Sequence, residues 1–313
     1  MRGPLLRLGL SLADLVARSL PVSVAYGLAD HAGRAWYRLT PARRQLVGES
    51  LARIYTATGR PATGRALQRA VEQAFVNHAR YWLELLRGPH YRAEHIPDMV
   101  QVADWASWDP IMRGGAVIAV PHLGNFEPVG HFVAASGLTG VAPVEEAGSP
   151  ELFQFMRARR ASGQGVQVVP LSKAFRPMLA ALRRNEIVAL VADRDLDGTG
   201  VPVTMFGFPT TLPAGPALLA LRTGKPLIMA RVLRIAPERF RVRAQRVEVA
   251  QTGKPADDVA ALTVALATAF EAAIAEAPEQ WWAAFQPFWT DQRQRAADRA
   301  AKRAAPSATE PGT

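Results

Sequence analysis

His122 and Glu127 are the residues of this chain best spaced for chemistry: an imidazole, then a carboxylate five positions later, with Leu123-Gly124-Asn125-Phe126 between them. A neutral imidazole can take the proton from a hydroxyl as that oxygen attacks a carbonyl. A carboxylate on its other ring nitrogen fixes the tautomer and stabilises the imidazolium. The acceptor's own oxygen is then the nucleophile, and no protein residue need be acylated. This suits a chain with no cysteine and no Gly-x-Ser-x-Gly elbow. The bland alternative is that His122 caps a strand and Glu127 a helix, since such a spacing also arises by chance.

The elements that must position the pair are legible around it. Gly115-Ala-Val-Ile-Ala-Val-Pro121 is short, rich in β-branched residues and bounded by Gly114-Gly115 and Pro121, which predicts a buried strand. His122 to Glu127 then form a strand-to-helix loop, and the carboxyl ends of strands are where α/β sheets usually bind ligands. Because a residue before proline avoids the helical region, Glu127 is placed at the N-cap and Pro128 at the first helical position. The unpaired N–H groups of such a helix start could hold an oxyanion or a phosphate. Gly124 and Asn125 of the loop join the candidate substrate contacts. A second cluster, Asp193-Arg194-Asp195, follows the apolar run Ile187–Val191, at the same sheet edge as His122 if the two strands are parallel. Arg194 could hold a phosphate, with the aspartates bonding sugar hydroxyls or locking the guanidinium; a structural ion cluster is the equal alternative.

Residues 1–100 read as helical, with Ala-rich periodic stretches near Arg65–Leu86. From about Met112 strands alternate with helices. Strands are expected at Ala116–Val120, Val141–Val144, Val166–Val169, Ile187–Val191, Val201–Phe206 and Leu227–Leu233, and helices at Val129–Ala135, Glu151–Arg160, Phe175–Arg184 and Pro216–Arg222. The connector between Leu227–Leu233 and Phe240–Val249 is too short for a crossover helix, so those strands pair antiparallel and the sheet is mixed. A last helix spans about Ala256–Ala277. The expected organisation is a helical region, 1–100, an α/β domain, 101–289, and a basic, disordered tail, 290–313. The fold class is α/β, a mixed, mostly parallel sheet flanked by helices.

Between Leu5 and Leu20 the polar residues Arg7, Ser11, Asp14 and Arg18 fall at steps of four, three and four, a narrow polar stripe on an otherwise apolar helix. Its charges argue against a simple spanning segment, and no cleavage site marks a signal peptide. A helix lying in the membrane interface fits, with Trp36 and Tyr37 among Arg34, Arg38, Arg43 and Arg44 as anchors; a helix packed on the domain is the alternative. The formal charge of +10 over 313 residues implies polyanionic partners: a membrane surface, an acidic carrier or nucleic acid. No nucleic-acid motif is present, and without His-x-His or His-Glu-x-x-His spacing a metal hydrolase built from His122, Glu127, Asp193 and Asp195 is a poor reading. The other histidines, His78 among them, suggest only surface or packing roles. Trp281, Trp282, Phe285, Phe288 and Trp289 either line an acyl groove or pack a core.

Pro121-His-Leu-Gly-Asn-Phe-Glu127 resembles the His-x4-Asp/Glu motif of the lysophospholipid and glycerolipid acyltransferase superfamily. The branch it is most similar to holds the bacterial lipid A lauroyl/myristoyl acyltransferases and the phosphatidylinositol mannoside acyltransferases. Gln167-Val-Val-Pro-Leu171, Val191-Ala-Asp-Arg-Asp195, Met205-Phe-Gly-Phe-Pro209, Leu212–Gly224 and Pro278-Glu-Gln-Trp281 with Phe285-Gln-Pro-Phe-Trp289 follow in the expected order, spanning about Met112 to Trp289. The resemblance implies transfer of a fatty acyl group from acyl-coenzyme A or acyl carrier protein, with no cofactor besides that co-substrate, to a hydroxyl of a membrane glycolipid or phospholipid. The enzyme would sit on the cytoplasmic face of the inner membrane. His122 would be the general base and Glu127 its orienting acid, one methylene longer than the aspartate many relatives carry. A basic residue near the end of the Glu151–Arg160 helix is associated with the site, and Arg160 is the nearest match. The alternative from another class is a non-catalytic lipid-binding or transfer protein on the same fold.

Overall fold

Prolines punctuate the helical first third of the chain. Pro21 precedes the second helix and Pro41 opens the third, positions where a missing N–H costs nothing. The computed structural model describes residues 2–146, 151, 154–155, 157–158 and 165–304. It begins with four helices: α1 (Arg2–Ser19), α2 (Val22–Leu39), α3 (Pro41–Ala57) and α4 (Gly64–Arg87). α4 is the long amphipathic one. It buries Val71, Ala74, Phe75 and Tyr81 toward the sheet and receives Ala25, Tyr26, Ala29 and Gly33 of α2 on its flank. Gly33 sits where a β-carbon would lie 2.6 Å from the Val76 Cα, so the two helices touch backbone to backbone.

The α/β part follows as α5 (Ile96–Met99), β1 (Val100–Val102), α6 (Trp105–Arg113), β2 (Val117–Val120), α7 (Glu127–Ala135), β3 (Gly140–Val144), β4 (Val166–Pro170), α8 (Phe175–Arg183), β5 (Ile187–Val191), β6 (Val201–Met205), β7 (Phe208–Leu212), α9 (Gly215–Thr223), β8 (Leu227–Ala236), β9 (Arg239–Val247), α10 (Pro255–Glu276) and α11 (Thr290–Ala304). Seven strands form one sheet in the order β1-β9-β8-β2-β5-β3-β4. From β8 to β4 neighbours are parallel, β8 and β9 are antiparallel, and β1 follows β9, so the sheet is mixed and mostly parallel. Residues alternate between its faces. Val117, Ala119, Val188, Leu190 and Met229 join the main core with α3, α4, α8, α9 and α10; Ile118, Ala142, Val166 and Ile187 face α6 and α7.

Two expectations need correcting. The strand expected at Val201–Phe206 spans Val201–Met205 and lies outside the seven-stranded sheet, paired with β7 in a separate two-stranded ribbon. The Phe206-Gly207 turn, with φ of 53° and 80°, is the left-handed pair that closes a tight hairpin, so the segment turns back on itself rather than crossing over. Residues 290–304 are helix, not disordered tail. Trp289 is fully buried, Asp291 accepts two hydrogen bonds from Arg53 at 2.8 and 2.6 Å, and Arg293 donates to Thr211 and Thr210 at 2.9 and 2.6 Å. The hydrogen bonds from Arg53 hold the Asp291 carboxyl down at about 2. A polar composition does not reveal partners supplied by distant elements. Residues 305–313, and most of the expected Glu151–Arg160 helix, lie outside the described residues. α10 is long and apolar enough to cross a membrane, but half of its most apolar stretch is buried against β6, β8, β9 and α9, which makes it a core helix.

Candidate active site

The sheet register brings the site together. β2 and β5 are parallel with Val120 opposite Val191, so His122 and Asp193, each two residues past its strand, emerge side by side. The His122 Nδ1 lies 2.5 Å from Asp193 Oδ1, and the His122 backbone N–H donates to Asp193 Oδ2 at 2.9 Å. Trp281 donates its indole N–H to the same Oδ2 at 2.8 Å. Asp193 is wholly buried. Burial pushes its carboxyl up, but the His122 ring and the hydrogen bonds from His122 and Trp281 outweigh that and hold it below the usual carboxylate range. An ionised aspartate therefore fixes one ring nitrogen, which leaves Nε2 for chemistry.

The loop is pinned on the other side by the Pro278–Trp282 segment. Leu123 bridges Trp281, Gly124 N–H donates to Gln280 O at 3.0 Å, and Trp282 N–H donates to His122 O at 2.9 Å. The Trp282 ring stands edge-on to His122, centroids 4.3 Å apart. Gly124 has φ of 62°, and a β-carbon there would sit 1.9 Å from Val232 O, so the loop can lie against β8 only with glycine.

Beneath the loop is a buried ion pair. Glu84 and Arg234 are bonded through two guanidinium nitrogens, one at 2.8 Å, and Glu84 also accepts from Tyr26 OH at 2.6 Å and Asn125 Nδ2 at 2.7 Å. Burial beside Glu84 holds the Tyr26 hydroxyl far above its ordinary range, so it stays a donor. Removing one member of such a pair costs about 3–5 kcal/mol, because the other charge is stranded. Asn125 passes this order on: its Oδ1 accepts the Glu127 N–H at 3.0 Å.

Sequence-derived candidates divide accordingly. Asp193, expected to touch substrate, is the acid on His122 Nδ1; Glu127, expected there, instead accepts a hydrogen bond from Tyr81 OH at 3.1 Å and lines the neighbouring cavity. Five residues of sequence separation leave a turn's reach, whereas adjacent parallel strands give side-by-side emergence. Asn125 and Gly124 are buried and shape the loop. Glu127 is the first residue of α7 rather than its N-cap, and the helix start is not an open donor site: the Glu127 and Val129 N–H groups are bonded to Asn125 and Phe126 O. Asp195 is taken up by its own loop and by β7, accepting from Gly198 N, Gly200 N and Thr211 Oγ1. Arg194, by contrast, is partly exposed near the site and lies 3.6 Å from Glu145. Arg160 lies outside the described residues. Trp281, Phe285, Phe288 and Trp289 are core residues.

Two features went unread in the sequence. An apolar cavity of about 170 Å³ lies between the sheet and α6–α7, walled by Trp105, Trp108, Ile118, Ala189, Val191 and Val232, with Glu127 at its margin. Period-two apolar residues on the strands signal a buried face but not an unfilled one. His78, on α4, is ringed by Trp36, Trp282 and Phe285, and its Nδ1 has no hydrogen-bond partner among the described residues. Burial, reinforced by the charges of Arg43 and His122, pushes its protonation down to about 4. It is neutral at neutral pH.

Residues 8–290 match the family model described as bacterial lipid A biosynthesis acyltransferase. The chain is 34% identical over 223 residues, 68% of each chain, to the phosphatidylinositol mannoside acyltransferase of Mycobacterium tuberculosis (strain CDC 1551 / Oshkosh). It is 29% identical over 301 residues, 92% of each chain, to that of Mycolicibacterium smegmatis (strain ATCC 700084 / mc(2)155). With a match across nine-tenths of its length, this chain belongs to the bacterial lipid A biosynthesis acyltransferase family and is an acyltransferase.

Proposed function

We propose that the protein transfers a fatty acyl chain from an acyl thioester, of coenzyme A or an acyl carrier protein, to a hydroxyl of a membrane glycolipid or phospholipid, with His122 as general base. The observation that carries this is the His122–Asp193 pair beside an apolar cavity with a carboxylate at its margin. The acyl chain lies in the cavity. His122 Nε2 takes the proton of the acceptor hydroxyl as its oxygen attacks the thioester carbonyl, while Asp193 stabilises the imidazolium. The tetrahedral intermediate collapses with cleavage of the C–S bond, and the departing thiolate takes the proton back from Nε2. The products are an ester and a free thiol. Glu127 is the carboxylate nearest the acyl path, and Arg194 supplies positive charge for a phosphate of donor or acceptor.

The relatives named for phosphatidylinositol mannoside favour a glycolipid acceptor whose hydroxyl lies near sugar and phosphate. Exposed Leu12, Leu15 and Val16 of α1 and Val24, Leu28 and Leu39 of α2 support a peripheral membrane site for the helical amino-terminal region on the cytoplasmic leaflet. The test is thiol release from palmitoyl-coenzyme A in the presence of extracted glycolipid, with acylated product identified by mass spectrometry. His122→Ala should lower turnover by at least about 100-fold, the lower end for a positioned general base. Near-normal turnover of that variant would refute the base assignment, and stoichiometric lipid binding without thiol release would favour a lipid carrier.

A further inference from the structure

We infer that the turn between β8 and β9 is a membrane-contact element in its own right, seating the catalytic domain on an anionic bilayer through Ile235 and the arginines of β9. The inference rests on the membrane reading above and adds a surface that the amino-terminal helices do not supply.

The turn is tied to the junction of α1 and α2. Arg87 donates to the carbonyl oxygens of Ala17 and Leu20 at 2.6 and 3.2 Å and pairs with Glu238, whose own N–H donates to Tyr26 OH at 2.8 Å. α2 buries Ala25, Tyr26 and Ala29 against α4, while Val24 and Leu28 stay exposed. Val24 and Leu28 lie two residues either side of Tyr26, on the far face of α2, so the turn offers a bilayer a surface separate from theirs.

The turn is built to meet it. β8 and β9 slip register between Arg234, opposite Phe240, and Ala236, opposite Arg239, which leaves Ile235 as the extra residue. A bulge re-aims its side chain, and Ile235 is 41% exposed. From the turn, β9 carries Arg239, Arg241 and Arg243 at every second position, all exposed and with no acidic partner among the described residues. The neighbouring Arg231, opposite Arg243, is by contrast paired with Glu276 at 2.9 Å. An exposed aliphatic side chain at a bulge, followed along the strand by exposed guanidinium groups, matches a lipid interface; a protein partner would be expected to use a packed aromatic centre. Each step of two residues moves the charge about 7 Å along the strand, so Arg243 stands about 14 Å from Arg239. That exceeds the ~8 Å Debye length at physiological salt, so the three arginines contribute unequally.

The experiment is sedimentation of the full-length protein with phosphatidylcholine vesicles, with and without phosphatidylglycerol. Ile235→Asn, Arg239→Gln and Arg243→Gln are compared with wild type after thermal melts show each variant folded. Arg239→Gln should lose about fivefold in partitioning onto the anionic vesicles, the equivalent of about 1 kcal/mol per basic residue at the surface. Arg243→Gln should lose less than Arg239→Gln, and Ile235→Asn should weaken binding to both vesicle types. Turnover on detergent-dispersed substrate should be unchanged in all three. Wild-type protein that stays in the supernatant would overturn the membrane reading and this inference together. Wild-type binding with all three variants equal to it would overturn only the inference, as would equal losses at Arg239 and Arg243.

Discussion

Asp193→Asn separates the geometry of this site from the pattern in its sequence. Asparagine keeps the size and one acceptor oxygen, so the hydrogen bonds from the His122 backbone at 2.9 Å and the Trp281 indole at 2.8 Å have an acceptor to keep. What is lost is the negative charge 2.5 Å from Nδ1 in a fully buried setting. The imidazolium formed as the hydroxyl proton moves then lacks its counter-charge, and an amide N–H facing Nδ1 selects the wrong tautomer. A charge-assisted hydrogen bond of this kind, with the tautomer it enforces, is worth about 3–5 kcal/mol to the transition state, or about 10²–10⁴ in kcat at 1.4 kcal/mol per tenfold. KM for the thioester should move little, because Asp193 does not line the cavity. The assay is continuous thiol release at saturating acceptor, run beside Glu127→Gln. Retention of kcat within threefold in Asp193→Asn, with loss in Glu127→Gln, would show that the acid five residues on orients the ring, and the reasoning from geometry would be refuted.

Other outcomes follow from single residues. Gly124→Ala combines a positive φ with a β-carbon driven onto Val232 O, so it should lower both stability, by more than about 2 kcal/mol, and turnover, read by thermal melt and activity together. Ala189→Phe fills part of the apolar cavity and should shift preference toward shorter acyl donors with little change in melting temperature; an unchanged chain-length profile would place the acyl chain elsewhere. His78 gives a pH signature. The unfolded histidine binds a proton near pH 6.5 but the native one only near pH 4, so stability is full above about 6.5 and declines as pH falls toward 4, by about 3 kcal/mol in all. Denaturant titrations of His78→Phe across that window should show a shallower decline than wild type.

Much of the site was legible before folding. The run Ala116–Val120 leading to His122, the strand Ile187–Val191 leading to Asp193, and the Pro128 in the first turn of α7 are local signals, carried by β-branched runs and by proline's fixed backbone. Period-two alternation separated the sheet's two faces, and the short connector after Leu233 made β8 and β9 antiparallel. Composition misled at Thr290–Ala304, because the partners that order that helix, Arg53, Thr210 and Thr211, come from far away in sequence.

The amino-acid sequence by itself determined the strands, the loop and the presence of an imidazole with acids within reach. Which acid serves it was decided by tertiary structure alone. Glu127 is near His122 along the chain, and that proximity says nothing about direction, since the loop turns its side chain toward Tyr81. Asp193 is distant in sequence but emerges from the next parallel strand in matching register, and strand order is a property of the whole sheet, set by how every apolar face finds cover.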